Sequence, residues 1–180
     1  TCYPAFSQPM REIPQIEFYR HPLVAVKLRD GICYLNEGDQ YSELGSSELD
    51  GAPALTLKGR PVTIELDEPL RNRSHHAWTI DLDVSGAARI TVSNRFFGTQ
   101  AGTFRKQYRE MLPEERRRHH LELVSKIARA AEPASALITE TEGYPCLRTY
   151  TVTAARYATL EGRTLTLLIP EVAGVLFPLR

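Results

Sequence analysis

The sequence predicts an α+β fold, an antiparallel sheet or β-sandwich with a helical pair inserted into it. Two stretches alternate apolar and polar residues on either side of turn signals, as hairpin strands with one wet face do. The pattern then switches to helical spacing after Gly98 and returns to alternation after Pro133. No internal repeat or low-complexity segment interrupts this order.

Residues 1–20 carry Pro4, Pro9 and Pro14 and read as an extended loop. Leu23, Val24, Val26 and Leu28 form a short strand, and Ile32 to Leu35 form its return. Asp30-Gly31 between them is a two-residue hairpin signal, because a type I′ turn needs positive φ at both centres. The stretch 42–60 is a surface connection rich in Gly, Ser and Pro, with one strand expected over Ala54–Leu57 and another through Val62, Ile64 and Leu66. In the second hairpin Ile80, Leu82 and Val84 share one face, Ser85-Gly86 turns the chain, and Ala88, Ile90 and Val92 return. Ala101, Phe104, Tyr108 and Met111, spaced 3, 4 and 3 apart, place a helix over 99–111. Pro113 opens a second helix over 113–131, since a proline there forfeits no needed donor. Glu114 and Glu115 favour its N-terminus, and Leu121, Val124, Ile127, Ala128 and Ala131 form its expected buried stripe. Leu137–Glu142, Leu147–Thr153 and Thr164–Ile169 read as the closing strands.

The 180 residues contain 22 Lys plus Arg and 22 Asp plus Glu, and 42% of them are hydrophobic. That balance suits a globular core and argues against a nucleic-acid binder, which carries a basic excess. No apolar run approaches the roughly 20 residues of a transmembrane helix. Thr1 opens the chain without a signal pattern and Arg180 closes an apolar end, so both ends read as cut from something longer. Cys2, Cys33 and Cys146 are odd in number and far apart, which supports neither a CxxC metal site nor a disulfide scaffold.

The strongest catalytic candidate is His21 with Asn36, 15 residues on, at the two ends of the first hairpin. In papain-like cysteine enzymes a His acts as base toward a thiol while a carboxylate or amide on the neighbouring strand holds its tautomer. His75-His76, with Arg71 and Arg73 nearby, reads as a solvated loop rather than a ligand pair, since adjacent strand residues point apart. Arg116-Arg117-Arg118-His119-His120 reads as a solvated helix face, diluted by Glu114, Glu115 and Glu122. The loop Asn36-Glu37-Gly38-Asp39 with Glu43 lacks EF-hand spacing. Trp78 and Phe96-Phe97 read as packing residues. No cofactor or metal is implied.

The stretch from Ile16 through His21 to Val26, followed by Asp30-Gly31, Tyr34-Leu35-Asn36 and Tyr41…Leu44-Gly45, resembles the end of a bacterial transglutaminase-like domain. That family reads Phe-Asn-His, an apolar strand, a turn, Trp/Tyr-Leu-Asp-Pro-Thr and a Leu-Gly loop. Ser85-Gly86-Ala87-Ala88, Phe97 to Arg105 and Leu112-Pro113-Glu114-Glu115 resemble the domain that follows this core in large Bacteroidetes-type envelope proteins. The resemblance implies that the catalytic His falls on His21 and its acidic partner on Asn36. It implies a truncated core end over 1–50 and a β-rich accessory domain over 51–180. It further implies a periplasmic, outer-membrane-associated or extracellular setting, with the rest of the parent polypeptide, or an envelope protein or peptide, as partner.

The departures bear on activity. Only 20 residues precede His21, and the family's Gly-Asp-Cys-type nucleophile motif is absent. Asn36 replaces the Asp and Glu37-Gly38 the Pro-Thr. Arg20 stands beside His21, and a cation there weakens a thiolate–imidazolium pair. The expectation is therefore a non-catalytic fragment. Its alternative is a cysteine acyl-transferase or peptidase whose nucleophile lies in a missing upstream segment.

Overall fold

A computed structural model describes residues 2–4, 19–29, 31–35, 39–128, 130–161 and 164–167. Antiparallel pairing dominates and two α-helices lie between the strands, so the α+β class holds. The chain divides into two compact units. Unit 1 comprises Thr1–Ser74, Phe96–Arg109 and Thr141–Cys146, and unit 2 comprises His75–Arg95, Glu110–Glu140 and Leu147–Arg180.

Unit 1 holds a four-stranded sheet of β1 (Cys2–Pro4), β2 (Tyr19–Pro22), β5 (Pro53–Leu55) and β6 (Pro61–Thr63), in the order β2-β1-β5-β6. The expected loop over 1–20 therefore contributes a strand at each end, while residues 5–18 lie outside the described ones. The hairpin β3 (Val24–Lys27) and β4 (Ile32–Leu35) forms a separate two-stranded sheet. Its turn differs from the expected Asp30-Gly31. Leu28 N donates to the Gly31 carbonyl at 2.9 Å, which centres the turn one residue earlier. Gly31 accordingly needs no positive φ. Leu23, Tyr34, Ala54, Ile64 and Leu66 make the buried cluster of this unit.

Helix α1 (Thr99–Glu110) buries Ala101, Phe104 and Tyr108 of the predicted stripe, while its fourth member, Met111, follows the last helical residue and is only half-buried. Its N-terminus is capped from outside the helix. Asn72 Oδ1 accepts from Thr99 N at 2.6 Å and Thr99 Oγ1 at 2.8 Å, which satisfies donors that the first turn leaves open. Phe96 stacks on Phe104 with ring centroids 4.6 Å apart, so the aromatic pair serves packing.

Unit 2 is built on β7 (Arg73–Leu82), β8 (Ala88–Phe97), β10 (Ile138–Glu140) and β11 (Cys146–Ala154), in the order β10-β11-β8-β7. The short strand β9 (Ala131–Pro133) also pairs with β11. Period-two alternation is realised: Ala88, Ile90 and Val92 on β8 and Tyr150, Val152 and Ala154 on β11 are buried on one face. Helix α2 (Pro113–Ile127) covers that face with Leu123, Val124 and Ile127. Val84 belongs to the turn and is exposed rather than facing the core. A further hairpin, β12 (Ala158–Glu161) with β13 (Thr164–Leu167), follows; the predicted strand beyond Leu167 lies outside the described residues.

Two features of α2 differ from the sequence expectation. Leu121 is 48% exposed, and the buried stripe runs through Leu123 instead. The helix also stops at Ile127, not Ala131, because Ala128 is extended at φ −157° and ψ 153°. Alanine favours helix, but Ala131 pairs with Ala154 of β11, and the sheet contact prevails over propensity. Between β9 and β10 three steps along β11 answer five along the edge, from Val152↔Pro133 to Thr149↔Ile138. The surplus forms a bulge in which Ala134 N and Ser135 N both donate to the Thr151 carbonyl and Ser135 Oγ accepts from Thr151 N.

Candidate functional site

The sequence-predicted pair is only half placed. His21 lies in β2, its backbone opposite Tyr3 of β1, while Cys2 lies opposite Pro22, one register step away. The pairing shifts at Arg20, a bulge beside the histidine. Asn36 lies outside the described residues. Cys33 belongs to β4, and its Sγ packs where Gly45 leaves room, 3.0 Å from the Cβ an alanine would carry there.

Elsewhere in unit 1 the polar side chains hold loops in place. Arg105 of α1, with only 11% of its side chain exposed, serves four acceptors. Nε donates to the Thr141 carbonyl at 2.8 Å, Nη1 to the Tyr41 carbonyl at 2.5 Å, and Nη2 to the Gly143 carbonyl at 3.3 Å and Glu43 Oε2 at 3.4 Å. Tyr144 Oη accepts from Gly98 N at 2.8 Å and donates to the Pro69 carbonyl. Glu43, expected in an acidic loop, thus pairs with a buried cation, and Asp39 Oδ1 accepts from Tyr41 N at 3.1 Å. Among the described residues no group of His, Cys, Asp and Glu side chains is suited to a metal ion. Cys146 is fully buried against the Ala101 and Gly143 carbonyls. Burial pushes its thiol above the usual range, with Arg105 opposing in part, so it is a poor thiolate.

Unit 2 carries a polar row that sequence reasoning missed. Asn94 of β8 is fully buried, and one orientation of its amide satisfies every neighbour. Oδ1 accepts from Arg148 Nη2 of β11 at 2.5 Å, and Nδ2 donates to His76 Nδ1 of β7 at 3.1 Å and the Ser93 carbonyl at 3.2 Å. His76 therefore lies in a strand, not a loop, and accepts a hydrogen bond while remaining exposed as expected. The signal was present in the alternation, since Asn94 continues the buried face of Ile90 and Val92. Trp78 is half-buried against the same core, as a packing residue.

The basic run on α2 also divides. Arg116, Arg117 and Arg118 are exposed, whereas His119 and His120 are half-buried beside Leu123 and Val124. On the opposite face of the sheet a shallow groove is lined by Asp81, Asp83, Arg89, Glu132 and Thr153. Asp83 there is occupied by its own turn: Oδ1 accepts from Ser85 Oγ, Ser85 N and Ala87 N. The Ser85 bonds, the hydroxyl's first, hold its carboxyl below the ordinary range. No helix among the described residues is long and apolar enough to cross a membrane. No family model, curated protein or solved structure matches this chain.

Proposed function

We propose that the chain is a non-catalytic interaction module: the closing hairpin of a transglutaminase-like core joined to the accessory domain that follows it, in a secreted or periplasmic, outer-membrane-associated bacterial protein. The observation that carries this reading is the β3–β4 hairpin. Its strands pair with each other in a separate sheet, and all four residues of β3 are exposed. Val24↔Leu35 and Val26↔Cys33 are directly opposed and share a face, on which Val24 is 58% exposed. Leu28, 56% exposed, continues the apolar row of Val24 and Val26 toward the turn. Tyr34 anchors the other face of the hairpin in the buried cluster of unit 1, and an exposed apolar face of this kind marks an interaction surface. The resemblance supplies the occupant, the remainder of the parent core that this hairpin would close.

The other side chains support the same reading. Arg105, Tyr144 and Asn94 are engaged in holding backbone and neighbouring strands, and burial keeps the Cys146 thiol protonated.

Amide hydrogen exchange tests it, comparing this chain alone with the parent polypeptide. The amides of Val24–Lys27 and Ile32–Leu35 are expected to exchange more slowly in the parent. Val24→Lys with Leu35→Lys should abolish that protection while the chain stays folded. Equal exchange of the hairpin in both settings would contradict the proposal.

A further inference from the structure

The N-terminal half of α2 meets its sheet through two imidazoles rather than aliphatic side chains. His119 and His120 sit on the face that continues into Leu123, Val124 and Ile127. His120 lies edge-on to the Tyr150 ring, centroids 6.0 Å apart. Its Nε2 is sealed from solvent and has no hydrogen-bond partner among the described residues. His119 stands in the field of Arg148, whose guanidinium is fixed on the buried Asn94. The other charges acting on His119 come from α2 itself: Lys126 and His120 oppose its protonation, and Glu122 favours it from 3.9 Å.

A neutral ring suits position 120, because it presents a largely apolar body to Tyr150. An imidazolium ring does not. A charged ring at 120 would place a donor in a sealed position without an acceptor, and one at 119 would add a cation beside Arg148. We propose that α2 is a pH-released helix, seated on the sheet of unit 2 while His119 and His120 are neutral and lifted at its N-terminal half when mild acid protonates them.

The titration of both rings runs in the direction this requires. Burial pushes both below the ordinary value of 6.5, with Arg148 adding to the effect at His119 and Glu122 opposing it only in part. A histidine depressed in the docked state takes up its proton first in the released state. Docking is therefore complete above pH 6.5 and is lost progressively as the pH falls below it toward the docked-state values.

Trp78 reports the event, being the single tryptophan and packed against the core that α2 covers. Its emission in the whole chain is followed from about pH 7.5 to about pH 5, the span in which histidines titrate. The expected result is a reversible red shift with its midpoint below pH 6.5. Replacing both rings, His119→Gln with His120→Phe, should remove that shift or move it about a full pH unit lower. Glu122→Gln should raise the midpoint, because an anion that favours the protonated His119 in the docked state is lost. Should the double variant fail to fold at neutral pH, each single replacement must lower the midpoint. A wild-type emission unchanged down to about pH 5, or a midpoint that none of these substitutions moves, would overturn the proposal.

Discussion

Gly86 shows how one residue can carry two constraints. It turns the β7–β8 hairpin at φ +84°, and a Cβ there would lie 2.3 Å from the Ala158 carbonyl oxygen. The contact is tight because the Gly86 carbonyl accepts from Tyr157 N at 2.9 Å and Ala158 N at 3.0 Å, docking the start of β12 on the turn. Gly51 has a similar φ of +76° but open space around it. Thermal or urea melts should separate the two effects. Gly51→Ala is expected to cost about 1 kcal/mol, the left-handed backbone alone. Gly86→Ala should cost more than about 2 kcal/mol, because the carbonyl must also move. Equal losses would mean that the Gly86–Ala158 contact is dispensable.

At the scale of elements, α2 is where pattern and packing diverge, and two leucines decide between them. Leu123→Ala should cost about 2–4 kcal/mol, since Leu123 is 5% exposed within the core of unit 2. Leu121→Ala should cost less than about 1 kcal/mol in the same chemical denaturation experiment. The reverse ranking would restore the stripe expected from the sequence. That stripe was misread because half of the true face is histidine. His119 and His120 occupy it, and residues of that type normally count as surface. The central parts of β7, β8 and β11 were legible from alternation at Ile80 and Leu82, at Ala88, Ile90 and Val92, and over Leu147–Thr153, whereas the first half of β7, with His75 and His76, read as a loop. The three-residue strands β1 and β9 were not, since their partners rather than their own residues define them. The same holds for the polar row. Asn94 is recognisable by its place on the alternating face, but Arg148 and His76 reach it only through strand register. His21 was expected to start the first hairpin but lies in β2, paired with β1 in another sheet, because the pairing partner Cys2–Pro4 carries no strand signal of its own; its proposed relation to Asn36 depends on a position outside the described residues.

For the whole molecule, the account separates what the fold needs from what chemistry would need. Arg105, Tyr144, Asn94 and Arg148 are committed to loops and strand rows, Cys146 is held as a buried thiol, and the hairpin offers an apolar face. A cysteine enzyme needs an accessible thiolate within hydrogen-bond reach of an oriented imidazole, which Cys146 does not offer. The most direct measurement is transfer of a primary-amine probe into a glutamine peptide, together with peptide hydrolysis, by this chain and its His21→Ala variant. The account predicts no turnover above buffer in either, with both proteins folded. Turnover that the wild type shows and His21→Ala abolishes would contradict it.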